Sequence, residues 1–288
     1  MPLLKINIAV LLFGLAGILA KFIDLPALAI TFGRVFFSSL TLLLYSRAVH
    51  LLVTLKRKDL MMMAFGGALR ACHWWLFLES IKMSNVAIGT ITFAAFPLFL
   101  TFLEPLVFHE KISRENVAVS LVILLGVLVM VEDFNLANGT TIAILIGLVS
   151  AFLYSVLSLV NRTLVAAYSG VTISLYQHAV AMVVLFPYVV RLDFTLDWKS
   201  LGLVAILGVV STAIGHALYV NSLKQVAVQV AGIISSLESV YGIVLAVILL
   251  GEIPTLRQVA GGAVIIMAVV ISRMKKDGRE RNTGKIIE

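Results

Sequence analysis

Apolar residues fall in long blocks along this chain, and polar residues collect in the gaps between them. An α-helix rises 1.5 Å per residue, so about 20 apolar residues cross the hydrocarbon core of a bilayer. Blocks of that size lie near 4–22, 27–49, 60–80, 84–107, 116–131, 140–161, 172–190, 200–222, 227–250 and 256–273. They are too long for strands and lack period-two alternation. The pattern therefore predicts an all-α membrane protein of ten transmembrane helices joined by short loops. A polar tail over 274–288 is expected to be mobile. The first block ends in Ile18-Leu19-Ala20-Lys21, a poor cleavage sequence, so it reads as a retained span and not a signal peptide.

Composition agrees. The chain is 61% hydrophobic and 13% charged, against about 45–50% and about 25% for soluble domains. Water could not solvate that surface; lipid can. One cysteine, Cys72, excludes an intramolecular disulfide framework and a multi-cysteine metal site. The net charge of +7 is not a nucleic-acid footprint, because the basic residues sit between the apolar blocks. With the N-terminus inside, fifteen Lys and Arg fall on the cytoplasmic side and five (Lys21, Lys82, Arg191, Lys199, Arg257) on the outer side. That bias predicts cytoplasmic N- and C-termini.

A repeat runs through the chain at an offset of 142 residues, pairing Ala71 with Ala213, Ser80 with Ser222, Lys82 with Lys224, Val86 with Val228, Glu110 with Glu252 and Val117 with Val259. Towards the front the offset drifts, setting Lys21 against Asn161 and Arg34 against Gln177. Each copy holds five spans, an odd number, so the second must be inverted in the membrane. Inverted repeats recur in transporters, with the solute site between the halves. The predicted units are 3–132 and 138–273, followed by the tail.

Several stretches resemble the EamA-type carriers of the drug/metabolite transporter superfamily. They are Phe13-Gly14 with Lys21, His73-Trp74-Trp75-Leu76-Phe77, Ser84-Asn85-Val86-Ala87, Phe96-Pro97 and His109-Glu110 in the first half. In the second half they are Tyr219-Val220-Asn221-Ser222-Leu223-Lys224, Leu237-Glu238-Ser239-Val240 and Leu250-Gly251-Glu252. Ser239 departs from the proline usual at that place, which implies a straighter ninth helix. The resemblance implies an alternating-access carrier with a central cavity lined mainly by the third, fourth, eighth and ninth helices. It implies no particular substrate.

An ionisable residue inside the membrane is a functional candidate by default. Arg70 lies mid-block, with His73, Trp74 and Phe77 three, four and seven residues on, one face of a helix. Their repeat partners Thr212, Gly215, His216 and Tyr219 form a second such face. An aromatic stripe alone is commonly core; with an arginine and two histidines on it, cavity lining is the better reading. Glu238 shares a face with Ser235 and Tyr241. It either binds an amine or carries a proton, or it is a structural partner for Arg70 or Arg34. The candidate solute-binding set is Arg70, His73, Trp74, Phe77, Phe96, His216, Tyr219, Ser235, Glu238 and Tyr241. Arg34 lines or braces the cavity, His178 reads as a buried hydrogen-bonded histidine, and Pro97 as a kink beside the cavity. Glu104-Pro105 reads as structural or gating, Glu79 and Lys82 as snorkelling to the outer surface, and Glu110 and Glu252 as architectural.

No GxxxxGK[ST] loop occurs, so ATP does not drive this chain directly. No cofactor, metal-ligand spacing or catalytic motif is apparent. The leading expectation is a non-enzymatic secondary transporter of small metabolites, such as amino acids, amines or related solutes, in a bacterial-type inner membrane. It would act as a monomer or homodimer, either proton-linked through Glu238 or as a passive exchanger. An intramembrane enzyme and a channel or scaffold are the alternatives.

Overall fold

With no water in hydrocarbon, every backbone N–H and C=O must be bonded within the chain, and helix is the local solution. The computed structural model describes residues 2–51, 53–109, 111–112, 114–131, 137–222 and 228–284. Among the described residues the regular structure is helical throughout. In chain order the helices are α1 (Pro2–Phe22), α2 (Ala27–Ala48), α3 (Arg57–Met83), α4 (Val86–Phe93), α5 (Phe96–Phe108) and α6 (Arg114–Met130). They continue with α7 (Gly139–Leu164), α8 (Gly170–Val189), α9 (Trp198–Ile206), a π-helical segment Leu207–Ile214, α10 (Gly215–Ser222), α11 (Val228–Leu250) and α12 (Leu256–Gly284). Among the described residues six stretches are long and apolar enough to cross a membrane, and shorter apolar helices accompany them at Leu237–Leu250 and Leu256–Ala268. Glu110, Lys224 and residues 285–288 lie outside the described residues. The polar tail begins as a continuation of α12, which runs to Gly284.

The surface carries large apolar side chains, and a largely apolar interior holds a group of polar and charged ones. Leu106, Val183, Ile248 and Leu256 are exposed, while Arg34, Arg70, His73, Gln177, His178 and Glu238 are buried. The exposed apolar side chains fit lipid outside, and the buried charges a polar site within.

Two interruptions aim side chains inward. The helix from Val86 breaks at Ala94–Ala95, because Pro97 in the first turn of α5 has no N–H to continue the ladder. The Ala94 and Ala95 amides donate to the Thr90 and Thr92 carbonyls at 3.0 and 3.2 Å, closing the break with short-range bonds. The second is the π-helical turn between α9 and α10, where Thr212 Oγ1 donates to the Leu207 carbonyl at 2.9 Å. Here α2 comes so near that a Cβ at Gly208 would lie 2.6 Å from Phe37 Cβ and 2.9 Å from the Arg34 carbonyl oxygen. α11 runs unbroken past Ser239, whose Oγ donates to the Thr90 carbonyl at 2.8 Å.

The interhelical contacts come in related sets. α2 packs on α8 and α6 on α12, α1 lies against α11 and α10, and α7 against α3, α4 and α5. At one end of the bundle Lys21 Nζ lies 3.3 Å from Glu252 Oε1 and donates to the Ser84 carbonyl at 2.8 Å. Glu252 Oε2 accepts the Val86 amide at 2.9 Å. Lys82, near the same end, donates through Nζ to the Ile23 and Leu25 carbonyls of the loop after α1 at 2.9 and 2.6 Å. At the other end Arg162 pairs with Glu104 and stacks on Phe108.

Candidate functional site

Two helix faces from opposite halves of the chain meet in the middle of the bundle. α3 presents Arg70, His73, Trp74 and Phe77, all buried. The π-helical segment and α10 present Thr212 and His216. Trp74 and His216 touch, with ring centroids 4.9 Å apart, and Phe13 of α1 stacks on His216 at 4.4 Å. Between them lies a small cavity of about 30 Å³. Its walls are Phe13 and Ala16 of α1, Arg34 of α2, His73, Trp74 and Phe77 of α3, Phe93 of α4, Tyr154 of α7, His216 and Glu238. An adjoining cavity towards the Arg162 end is lined by Arg70, Asn161, Tyr219 and neighbours, and shares Tyr154 and His216 with the first.

Both arginines stand over the Trp74 ring, Arg34 at 4.0 Å and Arg70 at 4.9 Å from its centroid. The electron-rich face of indole stabilises such cations where water is scarce. Arg34 Nε donates to Thr212 Oγ1 at 3.1 Å. Arg70 Nε and Nη2 donate to Gln177 Oε1 at 3.2 and 2.7 Å, and Gln177 Nε2 donates to Asn161 Oδ1 at 2.8 Å. These bonds are reciprocal with respect to the sequence repeat: Arg34 is paired there with Gln177, and Arg70 with Thr212. His73 is held by Ser150, whose Oγ donates to the His73 carbonyl and lies 2.8 Å from His73 Nδ1. His178 Nδ1 lies 2.7 Å from Ser38 Oγ. Among the described residues neither arginine forms an ion pair with Glu238.

A model of the EamA-like transporter family matches the chain twice, over residues 1–132 and 141–274. The chain belongs to the EamA-like transporter family. It is similar to the pseudopaline exporter CntI of Pseudomonas aeruginosa, with 27% identity over 255 residues covering 88% of each protein. It is also similar to a probable terminal-alkyne amino-acid exporter of Streptantibioticus cattleyicolor, with 26% identity over 78% of this chain and 77% of that one. One crystal structure superposes with a TM-score of 0.68 over 94% of this chain and 96% of the other at 15% identity, a likeness of fold. The EamA-like chain is thus a multi-pass membrane transporter, and its relatives are named as transporters or exporters.

Of the side chains singled out in this EamA-like transporter, His73, Trp74, Phe77, His216 and Glu238 line the central cavity. Arg70 and Tyr219 line the adjoining one. Ser235 Oγ donates to Tyr219 Oη at 3.1 Å, behind that wall. Phe96 and Tyr241 stand outside both linings. Phe96 packs behind Phe93 and Tyr154, with centroids 5.7 and 5.2 Å away, and Tyr241 packs with Phe13 against α1. Arg34 both lines and braces the cavity. Phe13, part of a stretch that carries the resemblance, also lines it, as do Ala16, Phe93 and Tyr154, which the sequence pattern does not single out. Among these last three, Tyr154 is the lone hydroxyl-bearing ring in its apolar block. Among the described residues no cluster of three metal-ligating side chains occurs.

Proposed function

We propose that this EamA-like protein is a secondary carrier that moves small metabolites, amino acids or related amino-bearing solutes, across a bacterial-type inner membrane by alternating access. One observation carries the reading: a buried cavity between the two halves that holds Arg34, Glu238 and a ring of aromatics, with the acid and the arginine not paired to each other. A structural salt bridge would have closed them together; a solute site leaves them apart.

In this reading α4–α5 and α9–α10 are each one span, giving ten spans as two inverted repeats, 3–132 and 138–273, with both termini cytoplasmic. The double family match and the reciprocal Arg34–Thr212 and Gln177–Arg70 bonds support it. The Lys21–Glu252 tie then closes the outer face, and alternation requires it to part while the Arg162–Glu104 end closes. The name of one relative, an amino-acid exporter, favours amino-bearing solutes and the outward direction. Glu238, facing the cavity, is the group placed to carry a proton if transport is proton-linked.

Counterflow in proteoliposomes tests the carrier. Labelled solute should accumulate transiently and saturably against unlabelled solute loaded inside. A linear, non-exchanging leak would return the channel reading, and no flux would return the scaffold. Imposing a pH gradient separates proton coupling from exchange: with coupling, Glu238→Gln still exchanges solute but loses the stimulation. Reporter fusions after Ser200 should read external and those after Arg57 internal; the opposite pattern sinks the topology.

A further inference from the structure

The charges around the cavity do not balance. Arg34, Arg70 and Glu238 are the Arg, Lys, Asp and Glu side chains found buried among the described residues. Guanidinium groups stay protonated in proteins. With every histidine neutral and Glu238 ionised, the centre of the molecule holds one positive charge in excess; protonating Glu238 makes it two. The neighbours of Arg70 are neutral: Gln177 takes two of its N–H groups, and its Nη1 lies 3.5 Å from His216 Nδ1. Arg34 is the more open of the two. Its Nε is engaged by Thr212 and its guanidinium carbon stands 4.0 Å from the Trp74 ring centroid, yet its terminal nitrogens make no hydrogen bond to any described residue while the side chain lines the cavity. A buried charge without a partner is strongly unfavourable.

We infer that the missing partner is the solute, and that it is a small net anion whose carboxylate sits on the guanidinium fork of Arg34. The inference rests on the reading of this cavity as the solute site and narrows its class: an acidic amino acid, in preference to a neutral zwitterion or an amine. Three features agree with it. A guanidinium held through Nε and set over the indole ring leaves its two terminal nitrogens as a fork of donors, which suits carboxylate. Phe77, Phe93 and Tyr154 offer apolar surface to the carbon portion of the solute. Glu238, on a different helix but lining the same cavity, rejects a second carboxylate where no ammonium accompanies it, so a monoanion balances the site with Glu238 ionised.

The test uses purified protein in nanodiscs, melted at fixed ionic strength in sulfate buffer with acetate, L-glutamate, L-glutamine or L-lysine. Acetate and L-glutamate should raise the melting temperature by about 2–4 °C at tenfold excess over their dissociation constants, while L-glutamine and L-lysine leave it unchanged. Arg34→Gln should abolish the rise and Arg34→Lys should keep part of it; if neither variant folds, the charge series on the unaltered protein decides. A response to L-glutamine or L-lysine as large as that to L-glutamate would overturn the inference. So would no response to either monoanion, or an anion response that survives Arg34→Gln. Counterflow of L-glutamine or L-lysine would leave the carrier standing and remove the anion assignment. Anion binding without counterflow of any solute would sink the carrier and leave the anion site.

Discussion

Neutralising Glu252 should loosen one face of the carrier by a measurable amount. Its carboxylate makes two contacts that depend on charge: the Lys21 ammonium at 3.3 Å and the Val86 amide at 2.9 Å, at the N-terminus of α4. Side-chain exposures of 19% and 25% mark a partly screened pair, worth about 0.2–1 kcal/mol. A negative charge at a helix N-terminus adds about 0.3–1 kcal/mol. Glu252→Gln keeps an acceptor for Val86 but loses both charge effects, about 1 kcal/mol together, roughly a fivefold shift between closed and open forms. The assay needs a thiol in the cavity. In a Cys72→Ser background, Ala16→Cys supplies it, and a membrane-impermeant thiol reagent is added on the Lys21 side. Alkylation should run about fivefold faster in Glu252→Gln. Lys21→Gln should accelerate it similarly, and the double variant should gain little beyond either, since both remove one shared interaction. Unchanged rates in both single variants would show that this tie does not hold the face closed.

Gly208→Ala should cost about 1–3 kcal/mol of stability, because its Cβ would meet Phe37 Cβ at 2.6 Å and the Arg34 carbonyl oxygen at 2.9 Å; Gly139→Ala, with nothing within 4 Å, is the control. Equal thermal melts for the two would refute the close-approach argument. Asp197 caps α9, its Oδ1 accepting the Ser200 amide at 2.9 Å and its Oδ2 the Ser200 hydroxyl at 2.7 Å, and these bonds hold its carboxyl below the usual Asp range. A depressed folded-state value stabilises above the ordinary Asp pKa of about 3.9 and fades as the pH falls through the lower value. Hydrogen exchange at the Ser200 and Leu201 amides should therefore distinguish Asp197→Ala from the unaltered protein at pH 6 and converge with it in stronger acid; a difference that persists would refute the capping role.

Helical order is legible in the sequence because long apolar blocks admit few other solutions in lipid, and the Arg70 face because a charged residue mid-block is rarely idle. Phase is what the sequence hides. The break at Ala94–Ala95 separates Phe93, which lines the cavity, from Phe96, which packs behind it. Tyr241 shares a helix with Glu238 yet rotates towards α1, where its Cβ approaches Gly14. Tyr154 looks like an ordinary apolar-block aromatic; only the meeting of helices distant in sequence makes it a wall. The bonding of Lys82 to the Ile23 and Leu25 carbonyls and of Glu252 to the Val86 amide needs segments distant in sequence to meet, which the sequence alone does not show.

The tryptophans of this chain occupy three environments: Trp198 is 88% exposed, Trp75 is 37% exposed and Trp74 is 4% exposed beneath two guanidiniums. Indole emission shifts and dims with nearby charge, so Trp74 is a built-in optical probe. With Trp75 and Trp198 replaced by phenylalanine, the remaining fluorescence would report whatever moves Arg34 or Arg70 off that ring. Occupancy of the cavity could then be followed in real time, with no radiolabel and no attached dye, and for any solute that displaces either arginine.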